Sequence, residues 1–477
     1  MKPFRQALLY LATLLIAVGV VVGIVEVGNS LPSAASTQLI ASDTTSTLEA
    51  MLQNLQGNLA EPLSHLFIQL LVIIAACRLV GKLFVRIGLP AVVGEMVAGI
   101  VLGPSLFGLL APETFSFVFP TTSLGTLRLL SQIGICLFMF TVGMELDLSH
   151  VRSKATTAVA VSHASIVFPF LLGVVLAYFL FTDLAGPKAN FVGFALFMGI
   201  SMSITAFPVL ARILQERKIS RTALGSTAIT CAAVDDVTAW SILAVVVAVV
   251  KASSLLASGL TLLLALGFIA IMILLVRRGL PKWIGKEQLH RDEPSSGTLG
   301  IILFVVISAA LCTETIGIHA LFGAFLAGTV MPDVGQFRQR ITALLEKFSS
   351  VLLLPLFFAF TGLRTEIGLL NGMQDWLICL AIIAVATLGK MGGSTIAARI
   401  TGMKWRESLQ LGALMNTRGL MELIALNIGY DLGILSPRIF TMLVIMAVVT
   451  TTMTGPLLTL LGVRESSLER DHQPSHA

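Results

Sequence analysis

Charged side chains are scarce in this chain of 477 residues. Asp, Glu, Lys and Arg together make up 12% of it, whereas 56% of its residues are hydrophobic. An ordinary soluble domain carries about 25% charged residues, so this composition excludes a soluble enzyme. It predicts an all-α polytopic membrane protein, because a helix satisfies its own backbone hydrogen bonds within lipid.

Cysteine chemistry is also lacking. The five cysteines are odd in number and none forms a CxxC motif, which argues against a disulfide framework and a metal site. The seven histidines form no cluster. The formal charge of +5 does not indicate nucleic acid, because the basic residues flank apolar spans. We therefore predict no cofactor and no nucleic-acid partner, and the lipid bilayer as the surroundings.

Long apolar runs, in contrast, are abundant. If successive runs alternate across the membrane, most of the 31 lysines and arginines fall on the side that holds Lys2 and Arg5. The positive-inside rule expects such a bias. We predict an N-terminal hydrophobic segment and thirteen core transmembrane helices, near residues 8–27, 63–85, 90–108, 127–145, 156–181, 190–214, 222–250, 254–276, 298–316, 318–331, 348–363, 376–398, 408–429 and 438–461.

These runs divide the chain into three parts. Residues 1–62 are expected to hold the N-terminal hydrophobic segment, either an extra helix or a signal peptide, and an outside loop. Residues 63–462 are expected to form the membrane domain, and residues 463–477 a short cytoplasmic tail.

Two short motifs occur twice. Residues 94–99 read Gly-Glu-Met-Val-Ala-Gly, and residues 323–328 read Gly-Ala-Phe-Leu-Ala-Gly. Residues 137–143 read Leu-Phe-Met-Phe-Thr-Val-Gly, and residues 356–362 read Leu-Phe-Phe-Ala-Phe-Thr-Gly. Both pairs are separated by the same odd number of spans, so the two halves are predicted to be inverted repeats, as in secondary transporters. The alternative is that such glycines recur wherever helices pack closely.

A proline interrupts the span 190–214. Pro208 has no backbone N–H, so it frees the carbonyl of Ile204 four residues earlier. Together with Ser203 and Thr205, that carbonyl offers hard oxygen ligands that suit an alkali cation. The alternative is a plain proline kink, which membrane helices tolerate.

The inverted repeat predicts a second interruption in the span 408–429. Residues 415–422 read Met-Asn-Thr-Arg-Gly-Leu-Met-Glu, with polar residues and a glycine in the middle of the span. Arg418 and Glu422 are four residues apart and can pair on one helix face. We predict a structural ion pair there.

Two adjacent aspartates, Asp235 and Asp236, are the only charged residues between Thr222 and Val250. An acid near the bilayer midplane is costly, so it indicates an ion site or a proton relay. Adjacent helical residues point about 100° apart, so one aspartate can face a neighbouring helix while the other faces a cavity. Like charges this close also separate their proton affinities.

Lys390 is the predicted counter-charge. It lies nine residues before Arg399, or about 13 Å deeper at a rise of about 1.5 Å per residue. An unpaired ammonium at that depth is costly, so we expect it to pair with the aspartate doublet. Both a static salt bridge and a lysine that changes its protonation state fit this position.

The chain resembles the monovalent cation:proton antiporter-2 family from about residue 65 to residue 462. The stretches that carry the likeness are residues 89–104, 205–212, 234–236, 389–390 and 416–420. The resemblance implies thirteen helices, with a dimerisation domain and a mobile core that contains two crossed, broken helices. It also implies a homodimer.

The resemblance further implies roles for single residues. Asp236 matches the aspartate that binds the cation and the proton. Asp235 matches the preceding acid of electrogenic members, which pairs with a lysine at the place of Lys390. The plant branch of the family, which the segments at residues 205–212 and 416–420 resemble most, often has asparagine at the place of Asp235 and favours potassium.

The expected function is therefore exchange of a monovalent cation, Na⁺ with K⁺ as the alternative, for H⁺, with net movement of charge. The expected site consists of Asp235, Asp236, Thr205 and Ser203. Alternatives are an electroneutral K⁺/H⁺ antiporter, a cation channel, an organic-anion transporter on the same repeat, and a membrane scaffold. The expected location is a bacterial-type inner membrane or a thylakoid-type internal membrane.

Overall fold

The computed structural model describes residues 61–463, apart from 146–154, 221, 252–254 and 292, together with isolated residues between 51 and 59. The predicted first span at residues 8–27 lies outside the described residues, as does the predicted tail from residue 464 onward.

The first half of the membrane domain consists of helices joined by short connections. Two of them, α7 and α8, follow one another within a single predicted span. The helices are α1 (Pro62–Arg86), α2 (Ala91–Leu102), α3 (Phe107–Leu110), α4 (Pro112–Val118), α5 (Leu124–Glu145), α6 (Ala155–Leu184), α7 (Phe191–Ser203), α8 (Phe207–Glu216) and α9 (Ala223–Lys251).

The second half is built in the same way. Here α18 and α19 share a single predicted span. The helices are α10 (Leu255–Ile271), a π-helical turn (Met272–Val276), α11 (Arg277–Ile284), α12 (Lys286–His290), α13 (Ser296–Ile316), α14 (Ala320–Thr329), α15 (Phe337–Phe348), a second π-helical turn (Ser349–Leu353), α16 (Leu354–Leu363), a 3₁₀ turn (Ile367–Leu369), α17 (Met373–Ile400), α18 (Trp405–Met415), α19 (Leu420–Asp431) and α20 (Pro437–Leu460).

The all-α fold is confirmed. Within the described part of the chain, eleven helical stretches are long and apolar enough to cross a membrane, and Ala320–Thr329 is a shorter apolar helix. The predicted span 408–429 is occupied by α18 and α19, which are both short because the chain breaks between them. The number of thirteen crossings stays a prediction.

Four glycines allow two pairs of helices to touch backbone to backbone. A Cβ atom on Gly99 of α2 would lie 2.1 Å from the Phe358 carbonyl oxygen of α16, and one on Gly362 would lie 2.0 Å from the Gly99 oxygen. Likewise, a Cβ on Gly143 of α5 would lie 2.2 Å from the Phe325 oxygen of α14, and one on Gly328 would lie 2.1 Å from the Phe140 oxygen of α5. Any larger residue at these positions would force the helices apart.

The remaining long helices surround the two breaks. Helix α9, which carries both aspartates, packs against α6, α7, α8 and α18. Helix α17, which carries Lys390, packs against α6, α18 and α20. The aspartates and the lysine are all fully buried as a result.

Candidate functional site

Two interrupted helices cross at the centre of the candidate site. Helix α7 ends at Ser203 and α8 begins at Phe207, while α18 ends at Met415 and α19 begins at Leu420. The two extended segments are joined by hydrogen bonds: the Ala206 N–H donates to the Thr417 carbonyl at 3.0 Å. Both predicted interruptions are therefore present and lie against one another.

Asp235 is held by three donors from three different elements. Its Oδ1 accepts from the Ser165 hydroxyl of α6 at 2.6 Å. Its Oδ2 accepts from the Thr205 backbone N–H in the first break at 3.1 Å and from the Lys390 ammonium at 3.1 Å. Three donors from three elements fix the orientation of this carboxylate.

Lys390 ties the aspartate to the end of the broken helix. Its ammonium pairs with Asp235 and also donates a hydrogen bond to the carbonyl of Ser203, which is the last residue of α7. Neither Lys390 nor Asp235 has any exposed side-chain surface. The predicted counter-charge is thus in place, and it also satisfies a carbonyl that the end of the helix leaves free.

Asp236 lacks the hydrogen bonds that hold its neighbour. It is completely buried, and neither carboxylate oxygen has a hydrogen-bond partner of normal geometry among the described residues. The backbone N–H of Phe207, at the start of α8, interacts with it electrostatically, as do Asp235 and Lys390. A buried carboxylate without partners requires a ligand or a proton to neutralise it.

The two predicted oxygen ligands of the first break are used differently. The Thr205 hydroxyl donates to the Met415 carbonyl at 3.2 Å, which joins the two breaks. The Ser203 hydroxyl lies 2.8 Å from the Gly199 carbonyl and 3.0 Å from the Ile166 carbonyl, so it is engaged with backbone. The role of both side chains as cation ligands stays a prediction.

Arg418 does more than pair with Glu422. Its guanidinium lies 3.3 Å from Glu422 Oε2, as the spacing predicts, but it also donates to the carbonyls of Ser201 at 2.7 Å and Met202 at 2.6 Å. These carbonyls belong to the last turn of α7. The positive charge of Arg418 therefore lies against the negative end of the α7 dipole, as well as against the glutamate.

A cavity of about 550 Å³ lies beside the acidic helix, between α9 and helices α10, α13 and α14. Val237, which directly follows Asp236, lines it, together with Trp240 and Phe322. The Trp240 and Phe322 rings pack edge to face at 5.4 Å. The charged residues Asp333 and Arg338 line the same cavity. Open space therefore reaches the residue next to Asp236.

Two buried polar side chains of this region were not among the residues predicted from the sequence. Ser165 lies in the apolar helix α6, and a serine in the middle of a membrane span is the signal that could have identified it. Asn416 belongs to the polar stretch of the second break, and its side chain is fully buried. In the described part of the chain, no group of three or more His, Cys, Asp and Glu residues is arranged to hold a metal ion.

This geometry invites comparison with known proteins. A profile of the family described as sodium/hydrogen exchanger, transmembrane, matches residues 66–463, which is most of the chain. The chain belongs to this family. The family consists of transporters, so the protein is a transporter rather than an enzyme, and an integral multi-pass membrane protein.

Relatives within the family differ in the cation that their names give. The Na⁺/H⁺ antiporter NhaS4 of Synechocystis sp. is 45% identical over 390 residues, which are 82% of this chain and 95% of that protein. Cation/H⁺ antiporter 20 of Arabidopsis thaliana is 39% identical, and K⁺/H⁺ antiporter 1 of Saccharomyces cerevisiae is 32% identical. The matches cover 84% and 86% of this chain but 48% of each of those two proteins.

The family fold is also seen in solved structures. The structure of the sodium proton antiporter MjNhaP1 from Methanocaldococcus jannaschii at pH 8 matches with a TM-score of 0.61 over 84% of this chain and 99% of that chain. Sequence identity in this match is 15%, so it establishes the shared fold and nothing further.

Proposed function

We propose that this protein is a secondary active antiporter that exchanges a monovalent cation for protons, with Asp236 as the ion site. One observation carries the proposal: Asp236 is fully buried, and neither of its carboxylate oxygens has a hydrogen-bond partner of normal geometry among the described residues. It also lies beside the start of α8, the second half of a broken helix. The names of the relatives, which are Na⁺/H⁺, K⁺/H⁺ and cation/H⁺ antiporters, support this chemistry.

Coupling follows from competition at one carboxylate. Asp236 is neutralised either by a proton or by a partly dehydrated cation, and it cannot hold both at once. An empty, charged carboxylate is costly in this apolar region. The change between the two access states is therefore favoured only when Asp236 holds a proton or a cation. Each cation carried in one direction is then matched by proton movement in the other.

Asp235 and Lys390 set the charge balance of the cycle. If the pair exchanges a proton when the cation binds, more protons than cations cross in each cycle and net charge moves. We favour this electrogenic cycle, in which the buried pair opens during transport. The electroneutral alternative keeps the ion pair closed throughout, so that only Asp236 titrates.

The glycine contacts support alternating access through an inverted repeat. The motif that ends at Gly99 packs on the motif that ends at Gly362. The repeat of the first motif, which ends at Gly328, packs on the motif that ends at Gly143. Exchanging the two halves of the chain converts one contact into the other, as a pseudo-two-fold axis requires. We propose that these four helices form the fixed part against which the broken helices move.

We propose Na⁺ as the cation, with K⁺ as the alternative, because NhaS4, which this chain matches at 45% identity over 95% of that protein, is named a Na⁺/H⁺ antiporter. A homodimer in a bacterial-type inner membrane or a thylakoid-type membrane is part of the same proposal. The plant and yeast relatives are about twice as long as the matched region, so their names carry less weight for this chain.

Proton exchange in proteoliposomes tests the proposal. Addition of Na⁺ or K⁺ to vesicles with an acidic lumen is expected to dissipate the pH gradient, and Asp236→Asn is expected to abolish this response. The matched control is Asp183→Asn, which changes an exposed acid at the end of α6 and is expected to leave exchange intact. Full exchange by Asp236→Asn would remove Asp236 from the mechanism.

Two rival functions predict different results in the same vesicles. A channel predicts cation flux without a counterflow of protons. An organic-anion transporter predicts uptake of carboxylates and no response to alkali cations. Two buried aspartates disfavour an anion at this site because they would repel it.

A further inference from the structure

Asn416 is the exception among the polar side chains of the second break. It is fully buried, and neither its amide oxygen nor its amide nitrogen has a hydrogen-bond partner in the part of the chain that the structure describes. The next residue, by contrast, places its hydroxyl 3.4 Å from the Thr454 hydroxyl. Buried amides are almost always paired, so this one requires an explanation.

The crossing of the breaks fixes where Asn416 lies. On one side of it, the Met415 carbonyl accepts from the Thr205 hydroxyl at 3.2 Å. On the other side, the Thr417 carbonyl accepts from the Ala206 N–H at 3.0 Å. Asn416 is therefore held on both sides against the segment formed by Thr205 and Ala206.

The same segment contacts both aspartates. The Thr205 N–H donates to Asp235 at 3.1 Å, and the Phe207 N–H interacts with Asp236. Thr205 and Ala206 of the first break, with Phe207 at the start of α8, thus connect Asn416 with the acidic doublet. Among the described residues, the side-chain oxygens of Asn416 and Asp236 lack hydrogen-bond partners of normal geometry, and both side chains are buried at this crossing. Their chemistry is complementary to a cation.

We propose that the amide oxygen of Asn416 is a ligand of the cation that binds at Asp236, and that it determines which alkali cation is preferred. This inference rests on the proposed antiport function and deepens it. An amide oxygen is a hard, neutral donor that replaces a water of hydration. The number and field strength of such oxygens govern selection between Na⁺ and K⁺.

A neutral ligand has a distinct kinetic signature. Asn416 does not titrate, so removing its oxygen weakens cation binding without changing proton binding at Asp236. Loss of a residue that only supports the fold would instead lower transport of every cation to the same degree. The Michaelis constants for different cations therefore distinguish a ligand from a structural residue.

The test uses the full-length protein in proteoliposomes, with Na⁺, K⁺ and Li⁺ titrated separately. Asn416→Ala is expected to raise the KM for the preferred cation about tenfold, the effect of losing roughly 1.4 kcal/mol, and to change the ratio of KM values between cations. Asn416→Ser, which keeps an oxygen on a shorter side chain, is expected to alter the ratio with a smaller loss. Unchanged KM values and ratios in both variants would overturn the inference.

Asn427 provides a matched control. It is a buried asparagine on α19 whose amide donates to the Thr361 hydroxyl and the Leu423 carbonyl, both at 2.9 Å. Asn427→Ala is expected to lower the melting temperature in detergent while keeping the wild-type order of cations. If it changed the ratio of KM values as much as Asn416→Ala, the effect would not be specific to Asn416.

Direct binding gives a second readout that does not depend on transport. The preferred cation is expected to raise the melting temperature of the wild-type protein in detergent, and this shift should be much reduced in Asn416→Ala. An undiminished shift contradicts the inference. If the wild type performs no cation/proton exchange at all, the proposed function itself fails. If Asp236→Asn abolishes exchange while Asn416→Ala keeps the wild-type KM values and their ratios, the function holds and the role of Asn416 fails.

Discussion

Asp235 and Asp236 are neighbours in sequence and nearly opposite in environment. Asp235 receives three hydrogen bonds from α6, the first break and Lys390, whereas neither carboxylate oxygen of Asp236 receives one of normal geometry among the described residues. The helical turn of about 100° between them is the cause. It directs the Asp235 side chain to those donors and the Asp236 side chain away from them.

The buried ion pair makes a prediction about stability. Lys390→Ala is expected to destabilise the protein by about 3–5 kcal/mol, because it leaves the Asp235 charge buried without its counter-charge. The double variant Asp235→Asn/Lys390→Met removes both charges and is expected to recover most of that loss. Thermal unfolding in detergent measures both.

The control for this pair is Lys282→Ala, which removes an exposed lysine of α11 and is expected to change stability by less than about 0.5 kcal/mol. A Lys390→Ala variant as stable as the wild type would mean that Asp235 is neutral in the folded protein.

Competition at Asp236 predicts the direction of the pH dependence. Under the proposed mechanism, protonation of the carboxylate removes the cation site, so the KM for the cation is expected to rise as the pH falls. Below the pH at which the free site titrates, the rise should approach about tenfold per pH unit if one proton competes with one cation. Initial rates of exchange at a series of pH values measure it. A KM that does not vary with pH fits a channel better than an antiporter.

At the scale of elements, helix contacts rather than single polar groups set the architecture. The four glycines at the α2–α16 and α5–α14 crossings bring backbone into contact with backbone. Because the backbones approach so closely, these helices pack through van der Waals contacts between main-chain atoms. Such packing is expected in lipid, which supplies no hydrophobic driving force between helices.

Gly362→Ala is the sharpest test of these crossings. A Cβ there would lie 1.9 Å from the Gly99 carbonyl carbon, so the two helices must separate. We expect a loss of several kcal/mol, seen as a reduced yield of folded protein and a lower melting temperature. Gly300→Ala is the matched control, because a Cβ at Gly300 in α13 meets nothing within 4 Å and alanine favours the helix. Equal stability of both variants would contradict the close crossing.

The elements could be predicted from the sequence because their signal is local. Each apolar run predicts a helix from its own residues, and Pro208 predicts the interruption of the helix in which it lies. Contacts between elements are a different matter. Arg418 was predicted to pair with Glu422 on one helix, yet it also reaches the last carbonyls of α7, and nothing in the spacing indicates that contact.

The candidate site shows the same limit. The acidic doublet and Lys390 stand out because charges are rare in apolar runs. Ser165 and Asn416 are uncharged, and polar residues of this kind are common enough in membrane helices that sequence alone does not single them out. Which of the two aspartates receives the donors depends on how α9 is rotated against α6 and the break, and that rotation is a property of the whole packed domain.

At the scale of the whole molecule, the charge carried in each cycle decides which gradients drive transport. If the Asp235–Lys390 pair exchanges a proton during the cycle, net charge follows the protons. One elementary charge moved through 100 mV corresponds to about 2.3 kcal/mol. A membrane potential, negative on the side that protons enter, should therefore accelerate cation extrusion and steepen the final cation gradient by about fiftyfold per 100 mV.

The double variant Asp235→Asn/Lys390→Met separates the two stoichiometries. It keeps Asp236 but has no second titrating group, so it is expected to exchange cations for protons without responding to an imposed potential. The wild type and this variant are compared in the same vesicles at matched pH gradients. If the wild type also ignores the potential, the buried pair stays closed and the cycle is electroneutral. A response retained in the variant would place the second titrating group elsewhere than at Asp235 and Lys390.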